Sequence, residues 1–282
     1  MLRADLRRAR EAAGITQQEV AEQMSWSLSK VTRIESGDVA ISANDLRAVS
    51  QLFGLGETAI RELLRRNEAS RARGWWHDYR AVMSSVYSEV VGMESDADQL
   101  CDYAVTLVPG LLQTRAYAEA MISSGGKIYS PEDPERYESE LRVSLRLRRQ
   151  TNLLEGSDPP GLTVVLDESV LYRSVGTVQT MEEQLRWLAE LTRRPHVQIR
   201  ILPLERGGHC LHSYRIVDFE LVYVELVSSE ILFDDPGRLG FYKTMFDLAL
   251  ADALDADRTG QLLERVAKEY KRGRRPRPWL WE

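Results

Sequence analysis

Between Thr16 and Gly37, the spacing Thr16-Gln17-x-Glu19-x-Ala21, Ser25-x-Ser27 and Val31-x-x-Ile34-Glu35-x-Gly37 sets polar side chains on two short helices joined by a tight turn. Such helices cross steeply, which leaves the second free to enter a DNA major groove about 12 Å wide. Val31 and Ile34 form its inward side, and Leu28, Ser29, Thr32 and Arg33 its outward side, a face that can meet base edges. This is a helix-turn-helix. Other reactive groupings are sparse. His209-Cys210-Leu211-His212 gathers three metal-ligand types, where zinc normally takes three or four protein ligands, and ordinary packing is the expected role, with no metal. Asp167-Glu168 after a strand could serve as paired carboxylates, but at a strand end such a pair is more often a cap. HExxH, GxSxG, P-loop and GxGxxG patterns do not occur, so neither enzymatic activity nor a cofactor is expected.

The elements that position the helix-turn-helix carry their own start signals. Thr16 with Glu19 reads as a capping box with an Ile15–Val20 staple, Ser27 as a cap with a Trp26–Val31 staple, and Ser42 with Asp45 as a second box. Apolar residues recur at helical spacing through Leu2, Leu6 and Ala9, then Val20 and Met24, Val31 and Ile34, Leu46, Val49, Leu52 and Phe53, and Ile60, Leu63 and Leu64. The expected head is an all-α bundle of five helices over residues 1–70.

A break at Ser70–Gly74 separates it from an α+β body over residues 75–270. There the pattern predicts helices over 75–98, 113–123, from Ser130-Pro131 to Leu154, 181–192, 239–253 and 258–271. Strands are expected at 100–106, 162–166, 197–202, 213–219 and 222–226. Trp75, Trp76 and Tyr79 are expected to dock the linker helix. Residues 271–282 form a basic tail with Pro and Trp, either solvated or a second contact to DNA or to the acidic body. The 282 residues carry a net charge of −6, but residues 1–73 hold 12 Lys/Arg against 10 Asp/Glu, so the head is mildly basic and the body acidic. The stretch Tyr103–Thr114, free of charge, is too short for a membrane span. The Arg-rich start lacks the apolar core of a secretory signal, and two distant cysteines suit a reducing compartment, so a cytoplasmic location is expected.

Residues 2 to about 67 resemble the XRE, or lambda-repressor-like, family of DNA-binding domains. The resemblance implies that Gln17 touches a phosphate, that Ser27, Ser29, Lys30, Thr32 and Arg33 are contacts of the recognition helix, and that Arg10 and Glu35 form a structural ion pair. Arg33 suits bidentate reading of guanine, and Lys30 suits a phosphate. The loop Gly37–Asn44 departs from the phage repressors in having Asp38 and no basic residue, which leaves phosphate anchoring there to backbone N–H groups at the start of the fourth helix. Trp75-Trp76, Leu107–Thr114, Arg148-Arg149-Gln150, Leu166–Leu171 and Tyr223-Val-Glu225 resemble an actinobacterial regulator family, WhiJ-like, whose C-terminal domain has no known function. Its members are often encoded beside a small modulating protein.

The combined expectation is a sequence-specific transcription regulator that binds double-stranded DNA as a homodimer, with that small protein as a further partner. Pro109, Gly110, Gln113 and Glu168 are candidates for partner or effector contact, against a plain packing role for the turn. An enzyme fused to a DNA-binding head and an adaptor with a degenerate helix-turn-helix are the alternatives.

Overall fold

In the computed structural model, residues 2–36, 41–71, 75–129, 135–156, 159–206, 211–226, 229–274 and 276 are described. The chain divides into two units, Met1–His77 and Asp78–Glu282.

The first unit is five helices, α1 (Leu2–Ala12), α2 (Gln17–Met24), α3 (Leu28–Ser36), α4 (Ala43–Leu52) and α5 (Glu57–Arg71). Each is too short to persist alone, so the shared apolar core carries the stability. Leu6, Val20, Ala21, Val31, Ile34, Ile41, Leu46, Val49, Phe53 and Leu63 form that core. Asn67 of α5 is buried and donates to the Ile41 carbonyl at 3.2 Å, tying the entry of α4 to the last helix.

The second unit is α+β, as the order of expected helices and strands predicts. Its elements run α6 (Ser85–Ser95), β1 (Gln99–Ala104), α7 (Arg115–Tyr129), α8 (Glu135–Leu154), β2 (Gly161–Asp167), α9 (Val178–Leu191), β3 (Val197–Leu202), β4 (Tyr214–Val217), β5 (Leu221–Glu225), β6 (Glu230–Phe233), α10 (Pro236–Asp252) and α11 (Ala256–Lys271). The strands form one sheet in the order β3-β2-β1-β4-β5-β6. The β1–β2 and β2–β3 pairs are parallel and the other three antiparallel. Parallel neighbours need long crossovers, and here these are α7–α8 and α9. One face of the sheet packs against α9, α11 and Tyr117 of α7; the other packs against Tyr242, Phe246 and Ala249 of α10.

Several expectations change, among them a strand expected over 100–106 that ends at Ala104 and a helix expected to end at 123 that runs to Tyr129. The helix expected over 75–98 is a 3₁₀ helix, Trp75–Val82, followed by α6, because Ser84 caps a fresh start by accepting the Tyr87 N–H at 2.9 Å. The strand expected to reach Phe219 stops at Val217; Asp218 and Phe219 both take positive φ (50° and 57°) in the turn to β5. That double left-handed pattern suits the right-handed twist of a hairpin. The helix expected from Gln113 is preceded by a 3₁₀ turn, Gly110–Leu112, and starts at Arg115. Finally, β6 was not anticipated. The Ser130-Pro131 start lies outside the described residues.

Cys101 on β1 is buried, and burial, with the Asp102 and Asp247 charges adding, pushes its thiol up to about 12. Only the thiolate reacts. Iodoacetamide at neutral pH should therefore leave Cys101 unmodified in the native chain and alkylate it after unfolding, as read by peptide mass spectrometry; rapid native labelling would contradict the burial. Cys210 lies outside the described residues.

Candidate nucleic-acid interface

The connection between α2 and α3 is built from local hydrogen bonds. Glu19 accepts the Thr16 N–H at 2.7 Å while Thr16 Oγ1 accepts the Glu19 N–H at 3.2 Å, completing the capping box. Helix α2 ends on Ser25 in the left-handed region (φ 55°), and the Trp26 N–H returns to the Ala21 carbonyl at 2.8 Å. Ser27 Oγ then accepts the Lys30 N–H at 3.1 Å and starts α3. Three residues thus reverse the chain between helices.

One carboxylate fixes how α3 is presented. Arg10 Nε and Nη2 donate to the two oxygens of Glu35 at 2.7 and 3.1 Å, and Arg10 Nη1 donates to the Ile15 carbonyl at 2.9 Å. Gln17 Nε2 donates to the same carboxylate at 2.8 Å, and the Thr32 hydroxyl donates to Gln17 Oε1 at 3.3 Å. Helices α1, α2 and α3 are therefore joined through Glu35, with Arg10 only 9% exposed. With Val31 and Ile34 in the core, Leu28, Ser29, Thr32 and Arg33 stand exposed on one side of α3.

The resemblance-based roles meet some prior engagements here. Gln17 is held by Glu35 and Thr32, and Ser27 is occupied as a cap. Lys30 Nζ lies 3.3 Å from Asp45 Oδ2 and 3.9 Å over the Trp26 ring. Asp45, expected to complete a capping box, gives its N–H to Ser42 Oγ at 2.9 Å and turns its carboxylate to Lys30 instead. To reach a phosphate, Lys30 must leave Asp45, at a cost of at most about 1 kcal/mol for a pair this exposed. Residues 37–40 of the loop before α4 lie outside the described residues.

In the second unit the candidate contact residues are spent on internal hydrogen bonds. Gln113 is buried and donates to the Val108 carbonyl at 2.8 Å, and Gln150 Nε2 donates to the carbonyls of Gly110 (3.0 Å) and Gln113 (2.5 Å). Gln184 Nε2 donates to the Leu112 carbonyl at 2.7 Å, and its Oε1 accepts the Thr114 N–H at 2.7 Å. Three glutamine amides thus satisfy a backbone stretch that belongs to no strand or α-helix, which is what burial of such a stretch demands. This corrects Gln113 from a candidate for partner or effector contact to an interior residue, while Pro109 and Gly110 stay half-buried beside it. Asp167 is a cap, accepting the Ser169 N–H at 2.9 Å; Glu168 accepts from the Tyr172 hydroxyl at 2.8 Å and the Leu204 N–H at 3.2 Å. His212 Nε2 lies 2.9 Å from the Tyr242 hydroxyl, whereas His209 and Cys210 lie outside the described residues. Among the described residues no cluster of metal-ligand side chains occurs, and no helix is long and apolar enough to cross a membrane.

Two family models match. A helix-turn-helix domain matches residues 2–63, the stretch holding α1 to α4 and part of α5, and such a domain points to DNA binding and transcription regulation. A domain of unknown function, DUF5753, matches residues 87–265, more than half of the chain. The chain belongs to the DUF5753 family. No curated protein and no solved structure matches it.

The DUF5753 domain holds an ionic cluster that sequence reasoning missed. Glu94 (α6), Asp102 (β1), Arg149 (α8) and Arg215 (β4) are all buried. Arg149 Nη2 and Nε reach Glu94 at 2.7 and 3.0 Å, and Arg149 Nη1 donates to the Tyr87 hydroxyl at 2.5 Å. Arg215 Nε donates to Asp102 at 2.5 Å, and Arg215 Nη1 donates to Glu94. Burial works against both charges of the second pair: it pushes the Asp102 carboxyl up to about 7, opposed by Arg149, and pulls Arg215 down to about 10. Arg149 and Gln150 carried part of the family resemblance. The structure puts both to use inside the DUF5753 domain, one in the ionic cluster and one on the Gly110–Gln113 turn.

Proposed function

We propose that this protein is a sequence-specific, non-enzymatic transcription regulator of the XRE, WhiJ-like kind, in which α3 reads the major groove and the DUF5753 domain joins two copies and receives an effector or a small partner protein. The observation that carries the reading is the exposed side of α3, Leu28-Ser29-Thr32-Arg33, held in place by the Glu35 hydrogen bonds to α1 and α2. Arg33 supplies direct readout and Lys30 a phosphate contact. Arg33→Ala is expected to cost about 1–3 kcal/mol at the preferred site and to relax base preference, whereas Lys30→Ala weakens all duplexes alike and flattens the salt dependence. Titrations on specific and random duplexes at several salt concentrations test this; equal losses on both for Arg33→Ala remove it from the readout.

One such module reads only a few base pairs, so two copies on a two-fold site are needed for selectivity. A head with net charge of only +2 over residues 1–73 neutralises few phosphates. Joining two heads makes the second contact intramolecular and raises avidity by about 10² to 10⁴. A fragment of residues 1–70 should accordingly bind DNA about that much more weakly than the full chain; equal binding by the fragment would remove the joining role from the DUF5753 domain.

A further inference from the structure

Helix α10 packs one side on the sheet through Tyr242, Phe246 and Ala249, and its opposite side carries exposed residues. On that side Phe241 is 57% exposed and Leu248 50% exposed, one on each side of Thr244. Contiguous exposed apolar patches mark interaction sites, and these two side chains, two turns apart on one face, give a partner helix an apolar strip to cover. We propose that this face of α10 is a self-association surface, on which the same helix of a second copy lies antiparallel about a two-fold axis near Met245. The proposal rests on the dimeric regulator reading above and names the surface that reading leaves open.

The charges fix the choice of partner. In an isologous antiparallel pair, residues equally far from the axis meet, and each flank of the helix meets the same flank of its partner. Seven residues either side of Met245 stand Arg238 and Asp252; two either side stand Lys243 and Asp247. At about 100° per residue, Arg238 and Asp252 share one flank and Lys243 and Asp247 the other. Arg238 therefore faces the partner's Asp252, Lys243 faces the partner's Asp247, and both contacts occur twice. Phe241 comes opposite the partner's Leu248 within one residue of the same register. Antiparallel helix dipoles also favour this arrangement. Within the chain, Arg238 reaches Asp235 and Asp252 reaches Arg206, each at 3.5 Å between exposed side chains, so both pairs are weak enough to exchange. With two cations and two carboxylates the face offers DNA no net attraction, and a face that complements itself suits a second copy before any unrelated protein. A helix about 25 Å long buries less than the roughly 800 Å² per partner of a standard interface, so the association should depend on concentration in the micromolar range.

Sedimentation of the full-length chain over about 1–100 µM tests the proposal, with circular dichroism melts to check that each variant is folded. The wild-type chain is expected to be dimeric at the upper end. Phe241→Arg should weaken the dimer about tenfold or more without lowering the melting temperature, since that side chain is exposed. Lys243→Glu should weaken it as well, by placing two carboxylates together twice, and adding Asp247→Lys should restore it. A wild-type dimer unaffected by Phe241→Arg and by Lys243→Glu would overturn this surface and leave the dimeric reading standing. A wild-type chain that stays monomeric throughout would overturn both.

Discussion

Glu94→Gln is expected to destabilise the DUF5753 domain by about 3–5 kcal/mol, because it removes one partner from a buried ion cluster and leaves cationic groups uncompensated. Glu94 is 1% exposed and serves two guanidinium groups, from Arg149 and Arg215. The amide keeps the shape but not the charge. Asp102 can still hold Arg215, whereas Arg149 keeps the Tyr87 hydroxyl and the attraction of the Asp102 charge but loses its own carboxylate partner. Since a domain is stable by only about 5–15 kcal/mol, the loss should be plain in urea unfolding followed by hydrogen exchange at α6 and β4. A change below about 1 kcal/mol would mean that the cluster relaxes or admits water. The reverse inference does not hold: a buried ion pair intact adds little net stability, as desolvation consumes most of its attraction.

The second large effect is expected in the head. Arg10→Ala or Glu35→Ala should lower its stability by about 2–4 kcal/mol, since either leaves a nearly buried charge without its partner. For a unit this small each kcal/mol shifts the melting temperature by about 4–8 °C, so a fall of 10 °C or more is expected in calorimetry. Glu35→Ala also frees Gln17 and with it the hydroxyl contact from Thr32, so α3 should lose its fixed orientation relative to α2. Base preference measured well below the melting temperature should therefore survive Arg10→Ala better than Glu35→Ala. Unchanged melting combined with altered base preference would place both residues at the DNA instead of in the scaffold.

What the sequence determined by itself was most of what depends on neighbours along the chain; the Ser42–Asp45 box is an exception, since Asp45 turns to Lys30. The Thr16–Glu19 box, the Ser27 and Ser42 caps and the inward placement of Val31 and Ile34 are interactions within about four residues, and each appears as the pattern predicts. The same holds for β3, where alternation over Val197–Leu202 is a property of six consecutive residues. The Ser84 cap was local as well, but it sat inside an apolar run that reads as continuous helix, so only the finished backbone showed the break at 83–84. Strand β6 has four half-buried residues and no alternation to betray it; it exists because β5 offers it an edge. Apart from the Arg10–Glu35 pair, which the family resemblance implies, tertiary structure alone decided the long-range ionic chemistry. Glu94 meets Arg149 55 positions away and Arg215 121 positions away, and Lys30 finds Asp45 across two helices. A charged residue carries no mark of its partner in its neighbours, because which opposite charge it meets is fixed by chain closure and by how strongly burial penalises leaving it alone.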